Sequence, residues 1–241
     1  INAQWQGILM KHLDLFAGIG GFSLVAQELG IETAQFVEIN SYCCHVLRKN
    51  FPTIPIHRDI RTFHANPNQF DLITGGSPCQ DLSIAGKRAG ITGTRSGLWF
   101  EMLRVIEVAK PNFVIWENVK GAISTGALLT VLSGLCEAGY HFDAEILSAA
   151  EIGLDHKRER IFVVAHADGI WWDAPPWREQ VGHQIEAARL AIARQSIDPP
   201  AWGISHGLPH RLDRLAAIGN AVVPALVAIA LRRVLYLESL R

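Results

Sequence analysis

Cys79 stands between Pro78 and Gln80 in the stretch Gly75-Gly-Ser-Pro-Cys-Gln-Asp-Leu-Ser-Ile-Ala-Gly86, directly after the apolar run 70–74. Proline stiffens the chain on one side of the thiol, and Gly75, Gly76 and Gly86 are expected to let the segment swing. That setting suits a nucleophile delivered on a mobile loop. Cys43, Cys44 and Cys136 lack it and read as small apolar residues. Other segments carry groups able to assist a thiol. Trp116-Glu-Asn-Val119 puts an acid, Glu117, at the end of an expected buried strand. His156-Lys-Arg-Glu-Arg160 places Arg158 and Arg160 just before another strand, and Gly219-Asn-Ala-Val-Val-Pro224 lies near the C-terminus.

A second constellation suits a nucleoside. Asp14-Leu-Phe-Ala-Gly-Ile-Gly-Gly-Phe22 joins the first expected strand to the first expected helix. Glycines there let the backbone approach a ligand closely. Glu38 ends the second strand, roughly twenty residues on, where an acid can hydrogen-bond ribose hydroxyls. Asp59 follows the third strand, placed to meet an adenine edge. Gly18-Ile-Gly20 is followed by Gly21-Phe22-Ser23, so the third glycine of the dinucleotide fingerprint is missing from its place. A nucleoside cofactor without a pyrophosphate fits better, and S-adenosylmethionine is the leading candidate.

These groups need a scaffold. Apolar runs read as strands at 11–16, 33–37, 54–57, 70–74 and 113–116, with a hairpin of 142–147 and 161–165. Helical periodicity covers 20–29, 41–50, 97–109, 128–138 and 224–237. Strands alternating with helices imply an open, mostly parallel α/β sheet. The pattern breaks near Asp168, where Trp171, Trp172, Trp177 and Trp202 gather among prolines, with one helical stretch near 184–195. That region is a small inserted module or a long functional loop. Its tryptophans read as the module's own core or as platforms for stacked bases.

The glycine loop, Pro78-Cys79-Gln80, Glu117-Asn118-Val119, Arg158-Glu159-Arg160 and Gly219–Pro224 follow one another in an order that resembles the DNA (cytosine-5-)-methyltransferase family, over residues 13 to 224. The resemblance implies the S-adenosylmethionine-dependent methyltransferase fold, a Rossmann-like mixed, mostly parallel sheet with helices on both faces, plus a small irregular recognition module. It implies a catalytic domain over 1–166, a reduced target-recognition region over 167–210 and a C-terminal return over 211–241. The implied reaction moves a methyl group to carbon 5 of a cytosine flipped out of duplex DNA. By the resemblance, Cys79 adds to carbon 6 and turns the ring into an enamine. Glu117 binds and helps protonate ring nitrogen 3 and the exocyclic amine, which requires a carboxyl with a raised pKa. Arg160 holds the base's carbonyl oxygen, and Arg158 supports the loop or a phosphate. The implied cofactor contacts are Phe16 against the adenine, Gly18 and Gly20 near the methionine part and Glu38 on the ribose. Asp59 and Ile60 meet the adenine, and Pro78, Leu98 and Asn220 complete the wall. The chain departs from the family pattern at His156, where glutamine is usual, and at Ser77, where an aromatic residue is common. Its recognition region is also shorter than in typical members.

Composition narrows the partners. The formal net charge is −1, so a nucleic-acid surface requires basic residues gathered on one face. Lys87, Arg88 and Arg95 flank the cysteine segment and either grip phosphates or are simply solvated. There is no apolar run of roughly 18 residues to span a membrane. Residues 1–9 read as an unstructured lead-in without a secretory pattern. Free thiols point to the cytoplasm. The histidines show no metal-ligand spacing, so no metal is expected. A monomer is expected, since one flipped base needs one active site. Two rivals remain. Cytosine methylation of transfer RNA is disfavoured because no cysteine follows Cys136. A catalytically silent scaffold is disfavoured by the joint presence of Cys79, Glu117 and Arg160. The family's setting is restriction–modification or a phage.

Overall fold

The computed structural model describes residues 9–78, 97–167, 174–194 and 220–241. Its strands are β1 (Lys11–Leu15), β2 (Glu32–Val37), β3 (Ile56–His57), β4 (Leu72–Gly75), β5 (Phe113–Val119), β6 (Tyr140–Ser148) and β7 (Glu159–Ala167). Among the described residues they form one seven-stranded sheet in the order β3-β2-β1-β4-β5-β7-β6. Neighbours run parallel from β3 through β5, whereas β7 is antiparallel to both β5 and β6. The helices are α1 (Gly21–Glu28), α2 (Ser41–Asn50), α3 (Gly97–Ala109), α4 (Ala127–Glu137), α5 (Trp177–Arg194) and α6 (Pro224–Glu238).

Both faces of the central strands are covered, which is why β4 and β5 read as continuous apolar runs. Side chains alternate across a strand. Phe113 and Ile115 of β5 join the core formed with α1, α5 and α6, while Val114 and Trp116 join the core formed with α3 and α4. Helix starts follow local chemistry. The Asn40 side chain caps α2 by accepting from the Cys43 amide at 3.0 Å. Pro224 opens α6, where its missing N–H costs nothing.

Expected and observed elements differ most where tertiary pairing overrides local pattern. β5 runs on through Glu117 and Asn118 to Val119, because these residues pair with Phe162, Ile161 and Arg160 of β7. α5 begins at Trp177, earlier than its periodicity suggests, because Trp177 and Val181 are buried against α6. Trp177 therefore belongs to the main core, neither to a separate module core nor to a base-stacking surface. Trp171, Trp172 and Trp202 lie outside the described residues.

The topology also fixes where a ligand can sit. From β1 the sheet is built outward in one direction through β2 and β3, and then in the other through β4 and β5. The loops diverge at the carboxyl ends of β1 and β4, and open α/β sheets bind ligands in that crevice.

Candidate active site

The segment after β1 turns sharply. Phe16, Gly18 and Gly20 all have positive φ, at 54°, 56° and 88°. A β-carbon at Gly20 would also lie 2.8 Å from the Phe51 ring and 2.9 Å from Leu47. The Gly18 amide donates to Glu38 Oε2 at 2.7 Å, and the Asn40 amide donates to Glu38 Oε1 at 2.6 Å. Glu38 thus ties the glycine loop to the end of β2. Burial pushes its carboxyl upward, and the two amide donors moderate that rise. Each carboxylate oxygen can accept more than one donor, so hydroxyl groups of a ribose remain compatible.

Asp59 caps the short turn Ile60–Thr62 and pairs with Arg61 at 2.7 Å. Hydrogen bonds from Arg61 hold its carboxyl below the usual range, so it stays an acceptor fit for an exocyclic amine. Ile60 is buried in the α3–α4 core, and Phe16 and Leu98 pack against that same cluster. Carboxylates at the ends of successive strands, Glu38 after β2 and Asp59 after β3, disfavour a pyrophosphate and suit a hydroxylated, cationic ligand such as S-adenosylmethionine.

At the end of β5, neighbouring residues divide between two tasks because they face opposite sides of the sheet. Glu117 is buried and forms an ion pair with Arg160, whose Nε lies 3.0 Å from Oε1. Burial pushes the Glu117 carboxyl up to about 7, against the pull of Arg160 and Arg158. Asn118 turns the other way, and its Nδ2 donates to the Ser77 carbonyl at 3.0 Å. Arg158 donates to the Ala221 carbonyl at 2.6 Å, holding the start of α6 beside exposed Asn220. Pro78 is exposed at the edge of the described segment. Cys79, Gly86, Lys87, Arg88 and Arg95 lie outside the described residues.

The glycines before Pro78 do not act as the hinges expected of them. Gly75 is the last residue of β4, and a β-carbon there would lie 3.1 Å from both the Leu15 carbonyl oxygen and Met102 Sδ. A β-carbon at Gly76 would lie 3.0 Å from Glu117 Oε2 and 3.2 Å from the Glu117 carbonyl oxygen. Close approach, not freedom of φ, is what requires glycine at these two positions.

A model of the family described as C-5 cytosine-specific DNA methylase matches residues 10–190. The chain belongs to this family. It is 36% identical over 186 residues to the Type II methyltransferase M.AquIA of Picosynechococcus sp., covering 68% of this chain and 75% of that one. It is 34% identical over 158 residues to M.HhaI of Haemophilus parahaemolyticus, covering 64% of this chain but 48% of the relative. In fold it is similar to the S. pombe Dnmt2 methyltransferase, with a TM-score of 0.58 at 24% identity, covering 67% of this chain and 53% of the other.

Against this cytosine-5 methylase background, Ser77 has a clear task. Its hydroxyl accepts from the Trp116 indole at 3.1 Å while its carbonyl is held by Asn118. The backbone one step before Pro78 is therefore pinned from β5. The sequence contained a signal for Asn118, since it lies inside the Glu-Asn-Val motif, but nothing local announced its partner. A buried chain of polar groups beneath the glycine loop, His12, Asp14, Ser23 and Thr74, also escaped sequence reasoning. Strand alternation alone would have placed His12, Asp14 and Thr74 in the core as unremarkable residues, and helical periodicity would have done the same for Ser23.

Proposed function

We propose that this chain methylates carbon 5 of cytosine in duplex DNA through a covalent adduct on Cys79, with S-adenosylmethionine as methyl donor. The observation that carries this reading is the buried Glu117–Arg160 pair, at the head of the segment that leads through Pro78 to Cys79. A carboxyl raised to about 7 is about half protonated at neutral pH. It can share a proton with cytosine nitrogen 3 and accept from the exocyclic amine, as general acid catalysis requires. Arg160 both orients Glu117 and offers its guanidinium to the base's carbonyl oxygen.

The Cys79 thiolate forms a bond to carbon 6, and the ring's electrons move toward carbon 5 as nitrogen 3 takes up the proton. When bound, S-adenosylmethionine supplies the electrophilic methyl group. Glu38 and Asp59 would orient its nucleoside, with Gly18 and Gly20 beside its methionine part. Phe16, Ile60, Leu98, Pro78 and Asn220 would form the wall. Carbon 5 bonds to that methyl group as the methyl's bond to the donor's sulfonium sulfur breaks. Loss of the carbon 5 proton to solvent water then re-forms the ring double bond and expels the Cys79 thiolate from carbon 6, and nitrogen 3 returns its proton to Glu117, which restores the ring. Arg158 positions the α6 entrance through Ala221. A flipped base occupies one site, so a monomer suffices, and thiol, carboxyl and sulfonium chemistry needs no metal. We place the reaction in the cytoplasm, where the thiol stays reduced. No helix among the described residues is long and apolar enough to cross a membrane.

The test uses duplex DNA and transfer RNA with labelled S-adenosylmethionine, and duplexes carrying 5-fluorocytosine, which blocks the final elimination. Label enters duplex DNA, and the fluorinated duplex is trapped by wild type but not by Cys79→Ala. Label in RNA alone, or equal trapping by both proteins, overturns the proposal.

A further inference from the structure

Beneath the glycine loop lies a continuous hydrogen-bonded chain of groups, four of them fully buried. His12 Nδ1 is 2.9 Å from Thr33 Oγ1, and His12 Nε2 is 2.7 Å from Thr74 Oγ1. Thr74 Oγ1 donates to Asp14 Oδ1 at 3.2 Å, and Ser23 Oγ donates to Asp14 Oδ2 at 2.7 Å. His12, Asp14, Ser23 and Thr74 have no solvent exposure.

When Asp14 is ionised, proton arithmetic fixes the direction of every bond. An ionised Asp14 only accepts. Thr74 has one hydroxyl proton and gives it to Asp14, so it must receive from His12 Nε2–H. Nδ1 then carries no proton and accepts from Thr33. Burial keeps the ring neutral, lowering His12 to about 3. All donors therefore run from β2 through β1 and β4 toward one carboxylate, with α1 supplying the last.

Two inner members of this chain, Asp14 and Thr74, lead into the two functional loops. Asp14 lies two residues before Phe16 at the head of the cofactor loop, and Ser23 lies in the first turn of α1. Thr74 lies in β4 two residues before Gly76, where an added β-carbon would lie 3.0 Å from Glu117 Oε2. The chain thus spans the sheet's switch point.

We infer that His12, Thr74 and Asp14 are positioning residues that lock the cofactor loop to the strand carrying the cysteine segment, so that cofactor affinity depends on the Thr74 hydroxyl. The inference rests on the proposed methyl-donor site. Protonation of Asp14 breaks the directed chain, because a carboxylic acid must donate on one side and one hydroxyl must turn away. The groups facing Asp14 are Ser23 on α1, Thr74 on β4 and Glu38 at the end of β2, with His12 on its own strand. Burial raises its carboxyl to about 7, the neighbouring Glu38 charge adds to that rise, and the two hydroxyl donors oppose it. Removing one donor raises it further.

The experiment compares Thr74→Val, which keeps the shape, with Thr74→Ser, which keeps the hydroxyl. Asp14 is titrated by carboxyl carbon-13 resonance in the ligand-free protein, assigned with Asp14→Asn, and S-adenosylmethionine affinity is measured by calorimetry. Urea unfolding verifies that each variant is folded. In Thr74→Val the Asp14 midpoint moves to higher pH and affinity at pH 7 falls about tenfold, the scale of one buried charged hydrogen bond. Thr74→Ser leaves both at the wild-type values. His12→Leu repeats the loss, and His12→Gln, which can donate to Thr74, restores it in part. Equal midpoints in Thr74→Val and Thr74→Ser, or a stability loss without change in midpoint and affinity, overturns the inference. Failure of wild type to bind the donor overturns the proposed function instead, because the resonance titration reads the chain without ligand.

Discussion

Replacing Glu117 by glutamine keeps the shape of the side chain and removes its titration. The carboxyl rises from an ordinary 4.5 to about 7 because β5 and β7 bury it. The folded protein therefore holds this proton more tightly than the unfolded chain does. For an acid shifted upward, the folded state is favoured below the unfolded value and loses ground as pH climbs to the folded one. At about 1.4 kcal/mol for each pH unit between the two values, roughly 3 kcal/mol of stability is lost between pH 4.5 and 7. The Glu117 side chain is only 10% exposed and its Arg160 partner 16%, so solvent screening removes little of this.

Urea unfolding of wild type and Glu117→Gln at pH 5 and pH 8 measures the effect. Arg160 loses its ion-pair partner in the variant, but a guanidinium is charged across this range. That penalty shifts the whole curve without changing its slope. Asp14 and Glu38 also carry raised values, yet they titrate in both proteins and cancel. Between pH 5 and 8, wild type is expected to lose about 2 to 3 kcal/mol more than the variant. The variant's methyl transfer should fall by a factor on the order of 10² or more, as for loss of a general acid, while donor affinity holds. Parallel stability curves would show that Glu117 is not held protonated by burial, and the proposed acid role would fail with it.

Gly76→Ala forces a β-carbon within 3.0 Å of Glu117 Oε2. It should cost about 1 to 3 kcal/mol in urea unfolding and depress the trapping rate with 5-fluorocytosine. Asn118→Ala frees the Ser77 carbonyl, so trapping slows about tenfold while calorimetric donor affinity is unchanged; loss of donor affinity instead would place Asn118 in the cofactor site. Arg233 is buried and bridges Asp143 at 2.8 Å and Gln180 at 2.7 Å. Arg233→Met should lose roughly 2 to 3 kcal/mol of stability with turnover per folded molecule intact.

Much of the scaffold was legible because both faces of the sheet are covered. Residues 41–50 and 97–109 show helical spacing and form helices with those bounds. The hairpin of β6 and β7 was legible as two apolar runs; β6 extends two residues before and one after its run, and β7 two at each end, where partners supply hydrogen bonds. Less legible was anything set by a distant neighbour. Gly76 looks like a hinge until Glu117 is placed against it. Ser77 looks like a departure until Trp116 and Asn118 use both of its oxygens. Trp177 looks like part of an irregular module until α6 closes over it.

The direction of β7 explains why the site exists at all. Glu117 leaves the sheet at the carboxyl end of β5, whereas Arg158 and Arg160 lie at the entrance of β7. In a parallel pair these would be opposite ends of the sheet. Because β7 runs antiparallel, Val119 faces Arg160 directly, and Glu117 faces Phe162. Directly opposed residues share a face, so Glu117 and Arg160 point to the same side, two positions apart. Arg158 continues that row toward the start of α6 and reaches Ala221. Asn118, one residue out of phase, is turned toward Ser77 and the cysteine segment. A single-residue slip between β5 and β7 would send Arg160 to the opposite face and leave Glu117 buried without a cation. The extended pairing through Val119 is therefore what fixes Glu117, Arg160 and the Asn118 anchor of the Ser77–Pro78 segment in one register.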